Sequence, residues 1–152
     1  MGLIVTMLLA VSLVVAACGS SSTPESASSP SDESESANET INVVMHDIYY
    51  GDTNDNQANP PVWTVTSDAQ VTINLDNQGA LRHNWAVVKP GVELPATFDM
   101  EANADLLLYD TGILDGGTQS TTTFLAPEPG EYLVICTVPG HYPLMQGKLI
   151  VN

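Results

Sequence analysis

The chain has 152 residues, 18 Asp plus Glu against 3 Lys plus Arg, a formal charge of −15, and just two cysteines, Cys18 and Cys136. That length holds one ordinary domain, and two cysteines provide no disulfide framework. So acidic a chain repels nucleic acid and anionic lipid headgroups and attracts cationic partners.

Three regions follow one another along the chain. The first, "MGLIVTMLLAVSLVVAAC", is apolar from Leu3 to Ala17, broken only by Thr6 and Ser12. About 15 residues is short of the roughly 20 that a bilayer-spanning helix needs, and it suits the apolar segment of a signal peptide. Residues 1–17 therefore read as a lipoprotein-type signal. "VAAC" resembles the bacterial lipobox, with small Ala16 and Ala17 beside the cut and Cys18 left to receive lipid, although no Lys or Arg precedes the run. The expected location is extracytoplasmic, periplasmic or on the outer face, with the protein anchored to the membrane through lipid on Cys18. The second region, residues 18–40, is rich in Ser, Pro and acid. It cannot bury enough apolar surface to offset its ordering entropy, so a disordered tether is expected.

The third region, residues 41–152, is the expected folded domain. "INVVMHDIYYG", "VWTVT", "QVTINLDNQ", "HNWAVVKPG", "TQSTTTFLAPEPG", "EYLVICTVPG" and "GKLIVN" are short β-branched runs separated by Gly, Pro and Asn. Such spacing predicts an all-β domain, an antiparallel sandwich or Greek-key barrel. Residues 96–108, "ATFDMEANADLLL", favour a short helix inserted between strands.

The chemistry gathers near the end, in "CTVPGHYPLMQG". The strand "EYLVIC" runs into Cys136, a tight turn follows at Pro139 and Gly140, and the chain returns as "GKLIVN". Cys136, His141 and Met145 thus share one loop and offer a thiolate, an imidazole nitrogen and a thioether. Mixed soft sulfur and borderline nitrogen suits copper in both oxidation states. A structural zinc site wants four Cys or His ligands, and this loop supplies only two, Cys136 and His141. A blue-copper site needs a second imidazole, and His46 and His83 are the two remaining histidines. His83 is the better candidate, because it opens "HNWAVV" directly after a turn-like stretch. His46 sits inside the first strand with no companion donor and reads as a surface residue. A Cys–His nucleophile pair leaves Met145 unexplained and has no evident orienting group.

"CTVPGHYPLM" with "HNW" upstream resembles the cupredoxins, and among them azurin and the auracyanins, over roughly residues 60–152. The resemblance implies a cupredoxin fold with His83, Cys136 and His141 in a trigonal plane around one copper ion, and Met145 as a weak axial ligand. Asn84 would tie the two ligand-bearing segments together by hydrogen bonds beside the cysteine, around Thr137. Arg82 replaces the glycine whose carbonyl approaches copper in azurin, so four donors are expected here rather than five. The implied function is one-electron transfer, Cu(I)/Cu(II), without enzymatic activity, by a monomer through the exposed edge of His141. A c-type cytochrome or membrane electron-transfer complex is the expected partner class. A copper carrier or scavenger without redox duty is the alternative, and a metal-free adhesion module a further one. Nitrite reductases and multicopper oxidases need more histidines than this chain has.

Overall fold

Apolar side chains at every second position produce the first sheet. In β1 (Asn38–His46) Ile41, Val43 and Met45 point inward, and in β4 (Gln70–Asn77) Val71, Ile73 and Leu75 do the same. A period of two puts one face of a strand against the core and the other toward solvent. The computed structural model describes residues 38–152. The signal segment, Cys18 and nearly all of the tether expected from the sequence lie outside the described residues.

The domain is a sandwich of two sheets. One has the order β2 (Tyr49–Tyr50), β1, β4, β7 (Gln119–Leu125). The other has the order β3 (Val62–Val65), β9 (Gln146–Val151), β8 (Gly130–Ile135), β5 (Ala86–Val88), β6 (Leu107–Asp110). The all-β expectation holds, with three corrections. Pairing is mixed rather than antiparallel throughout: β1 runs parallel to β4, Ile41 opposite Ile73, and β3 runs parallel to β9, Trp63 opposite Leu149. The domain begins earlier than residue 41, since Asn38, Glu39 and Thr40 pair with Gln70, Val71 and Thr72. The helix expected over 96–108 shrinks to α1 (Met100–Asn103) and a 3-10 turn at Ala104–Leu106. Leu107 and Leu108 go instead into β6, because pairing with β5 satisfies backbone groups at the sheet edge. Asp99 caps α1 by accepting from the Glu101 N–H.

Two apolar clusters position the loops. Between the sheets lies the main core, including Trp85, Val87, Phe124, Val134 and Leu149. Trp85 is completely buried and packs edge-on to Trp63 and Tyr109 and against Phe124. On the far side of the second sheet Ala86, Val88, Ile135 and Phe98 form a smaller cluster, joined by Val92, Leu94 and Tyr142. All three residues of β5 are therefore buried, because the 89–106 insertion covers the face that would otherwise meet water. Tyr142 ties that cluster to the loop between β8 and β9.

Candidate metal centre

Strand β8 ends by delivering Cys136 to one end of the sandwich, and β9 begins where Met145 closes the loop. The neck is fastened by the Cys136 N–H donating to the Met145 carbonyl at 3.1 Å and the Met145 N–H to the His141 carbonyl at 2.8 Å. Inside it, the His141 N–H donates to the Val138 carbonyl at 3.0 Å across Pro139 and Gly140, with Gly140 at φ +83°. Proline followed by a residue of positive φ is the requirement of a type II turn, and glycine meets it without strain. The Tyr142–Pro143 peptide is cis. This turn places His141 back over Cys136.

His83 reaches the same place from a different segment. It lies outside the regular strands and is held by Leu114: the His83 N–H donates to the Leu114 carbonyl at 3.0 Å, and the Leu114 N–H to the His83 carbonyl at 2.7 Å. His83, Cys136 and Met145 are fully buried, while His141 keeps 8 % of its surface exposed. His46 stays apart, stacked on Tyr49.

The three donors face one another. Cys136 Sγ lies 3.4 Å from His141 Nδ1 and 3.8 Å from His83 Nδ1, and the two Nδ1 atoms are 3.1 Å apart. A triangle with those edges has a centre about 2.0 Å from every corner, close to transition-metal bond lengths to imidazole nitrogen and thiolate sulfur. The sequence-predicted trio therefore meets at one point with the spacing a single metal ion needs. Two nitrogens and a sulfur, with the fully buried Met145 on the same loop, fit one copper ion better than a hard, oxygen-seeking cation.

The protonation states agree with that. Burial holds His83 below the ordinary histidine value, with His141 adding to the effect and Asp47 opposing it. Burial likewise lowers His141. Both imidazoles are thus neutral near pH 7, with lone pairs to donate. Burial pushes the Cys136 thiol up to about 11, against backbone N–H groups of Asn84 and Val138 aimed at its sulfur. Metal binding must therefore expel the thiol proton.

Asn84 and Thr137 meet as expected from the sequence. The Thr137 N–H donates to Asn84 Oδ1 at 2.7 Å, and Asn84 Nδ2 donates to Thr137 Oγ1 at 2.8 Å. Three supports went unread in the sequence. Asp110 accepts from Asn84 Nδ2 at 2.6 Å, the buried Tyr50 hydroxyl donates to the Asn84 carbonyl, and Asp47 stands beside His83. Arg82 is exposed.

Residues 49–152 match the family described as copper binding proteins, plastocyanin/azurin family, beginning earlier than the resemblance read from residue 60. Auracyanin-A of Chloroflexus aurantiacus is 40 % identical over 102 residues, 59 % of this chain and 63 % of that protein. Auracyanin-B of the same organism is 38 % identical over 93 residues, 53 % of this chain and 39 % of that protein. The chain thus spans less than two thirds of the length of either relative. Among solved structures, that of auracyanin A, described as a "blue" copper protein, aligns with a TM-score of 0.58 at 31 % identity, over 76 % of this chain and 100 % of that one. Dithionite-reduced auracyanin of Roseiflexus castenholzii aligns with a TM-score of 0.57 at 27 % identity, over 76 % and 98 %. The trio of donors, the two-sheet sandwich and these matches agree: the chain belongs to the plastocyanin/azurin family of copper binding proteins.

Proposed function

We propose that this protein is a mononuclear blue-copper electron carrier rather than an enzyme, in which His83, Cys136, His141 and Met145 would hold the copper ion. The observation that carries the proposal is the triangle of donors, whose centre suits one metal ion. When bound, copper supplies a one-electron couple between Cu(I) and Cu(II). The chain's residues do the rest. Asn84 and Thr137 lock the two ligand-bearing segments together, so the donors keep their positions through a change of one charge. Burial of His83, Cys136 and Met145 excludes water. Four protein donors leave no position for a substrate to coordinate.

His141 is the proposed port for electrons, as the one member of the trio that reaches solvent. Exposed apolar side chains belong to the same three segments: Leu81 near His83, Ile113 beside Leu114, and Leu144 beside Met145. An apolar face on a chain of charge −15 suits brief docking to a protein with a basic rim, such as a c-type cytochrome. Lipid on Cys18 and a Ser- and acid-rich tether would confine the carrier, as a monomer, to an extracytoplasmic membrane surface and raise the local concentration of partners. Fatty-acid labelling of cells that is lost in Cys18→Ser tests that anchor.

Stopped-flow mixing of the copper-loaded protein with a reduced c-type cytochrome tests the carrier role. Rapid oxidation of the cytochrome, slowing steeply as salt rises, is the expected outcome. Tight copper binding with sluggish exchange would identify a carrier or scavenger of copper instead.

A further inference from the structure

The far side of His83 has a partner that the ligand set does not account for. Its Nδ1 faces Cys136 and His141, so a metal bound there requires the ring proton on Nε2. That Nε2 is buried and has no hydrogen-bond partner among the described residues. The nearest charged group is the Asp47 carboxylate, with Oδ1 3.7 Å away. At that length the contact is electrostatic rather than a hydrogen bond.

The surrounding chain is arranged to put the carboxylate there. Asp47 and Ile48 form the two-residue turn between β1 and β2, where His46 pairs with Tyr49. Ile48 takes φ +69°, a region that β-branched residues rarely enter. Strain of that kind points to a positional requirement nearby. Asp47 Oδ1 also accepts the Leu81 N–H at 2.9 Å, which fixes it to the segment leading into His83. Position 79 has to be glycine for this approach. A Cβ there would fall within 2.9 Å of the Asp47 amide nitrogen and closer still to its carboxylate.

We infer that Asp47 is a positioning residue for the copper site, whose carboxylate holds the His83 ring in the Nε2–H tautomer and adds negative charge that favours Cu(II) over Cu(I). Carboxylate–histidine–metal arrangements orient ligands and raise their basicity. Here the carboxylate lies on the electron carrier's less exposed histidine, opposite the proposed port at His141. Its side chain is 47 % exposed, so solvent screens part of its field.

This inference rests on the copper reading, and the two fail separately. The first measurement needs neither copper nor a variant: nitrogen NMR of the metal-free protein reports the His83 tautomer. Nε2–H is expected, and Nδ1–H would overturn the inference. The second measurement compares the reduction potentials of copper-loaded wild type and Asp47→Asn, which keeps an acceptor for the Leu81 N–H but removes the charge. The variant should lose at least about threefold of its preference for Cu(II), an upward shift of about 28 mV at 59 mV per tenfold for one electron. An unchanged potential in a folded, blue variant would reduce Asp47 to a turn residue. A residue of purely structural role would lower stability and leave tautomer and potential as they are. A wild type that forms no blue complex would remove the copper reading and the role of Asp47 in it.

Discussion

Asn84 shows how much of the site depends on side chains that never touch the metal. It accepts from the Thr137 N–H and donates to Thr137 Oγ1 and Asp110 Oδ1, joining the His83 segment, the Cys136 loop and the end of β6. Asn84→Ala removes all three bonds and strands the Thr137 N–H, whose residue is 2 % exposed. A loss of about 1–3 kcal/mol is expected from the buried donor alone, measured by urea unfolding of the metal-free protein. Copper affinity should fall about 10–100-fold, the usual effect of removing ligand support. The candidate ligands themselves were legible in the sequence because Cys136, His141 and Met145 stand at short, fixed spacings on one loop, and only two further histidines, His46 and His83, were left to complete the set. Asp47 and Asp110 were not: nothing about an acidic residue in a chain with 18 of them says which one will fold against His83 or Asn84. Asp47 accepts from Leu81, 34 residues away in sequence, and Asp110 from Asn84, 26 residues away, and only packing brings them together.

Strands were readable as strands, since alternation of apolar and polar residues fixes which face is buried. Their partners were not. Ile41, Ile73 and Trp63 reveal an inward or outward face, but the parallel pairing of β1 with β4 and of β3 with β9 comes from how distant segments dock. The insertion before β6 illustrates the opposite error. Leu107 and Leu108 are good helix formers, yet edge pairing with β5 outweighed that weak preference. What the insertion does is cover the outer face of β5 with Phe98, in the apolar cluster that Tyr142 of the ligand loop also joins. Phe98, at 2 % exposure, is the test of that role. Phe98→Ala should cost about 3–5 kcal/mol and speed hydrogen exchange along β5 and in the 91–99 segment, with the sandwich between the sheets retained.

Across the molecule, the buried trio makes stability of the metal-free protein depend on pH in both directions. His83 and His141 are held below their ordinary value of 6.5, so the unfolded chain takes up protons first on acidification. Their contribution is complete above that value and is lost as the pH falls below it. Cys136 is raised from 9.0 to about 11, so its contribution is complete below 9.0 and is lost as the pH rises from there. Urea midpoints of the metal-free protein should therefore be highest between those limits and fall on both sides. Cys136→Ser should abolish the alkaline decline attributable to the thiol and leave the acid side in place. The large negative charge acts at longer range, through encounter rates with basic partners and their sensitivity to salt.

The central claim is a single blue-copper centre built from His83, Cys136, His141 and Met145. Titration of the protein with Cu(II), followed by visible absorption and electron paramagnetic resonance, tests it most directly. One equivalent should produce an intense blue thiolate-to-copper band with narrow hyperfine splitting, absent in Cys136→Ser. Pale, weakly held copper of ordinary tetragonal character, or the same spectrum from Cys136→Ser, would contradict it.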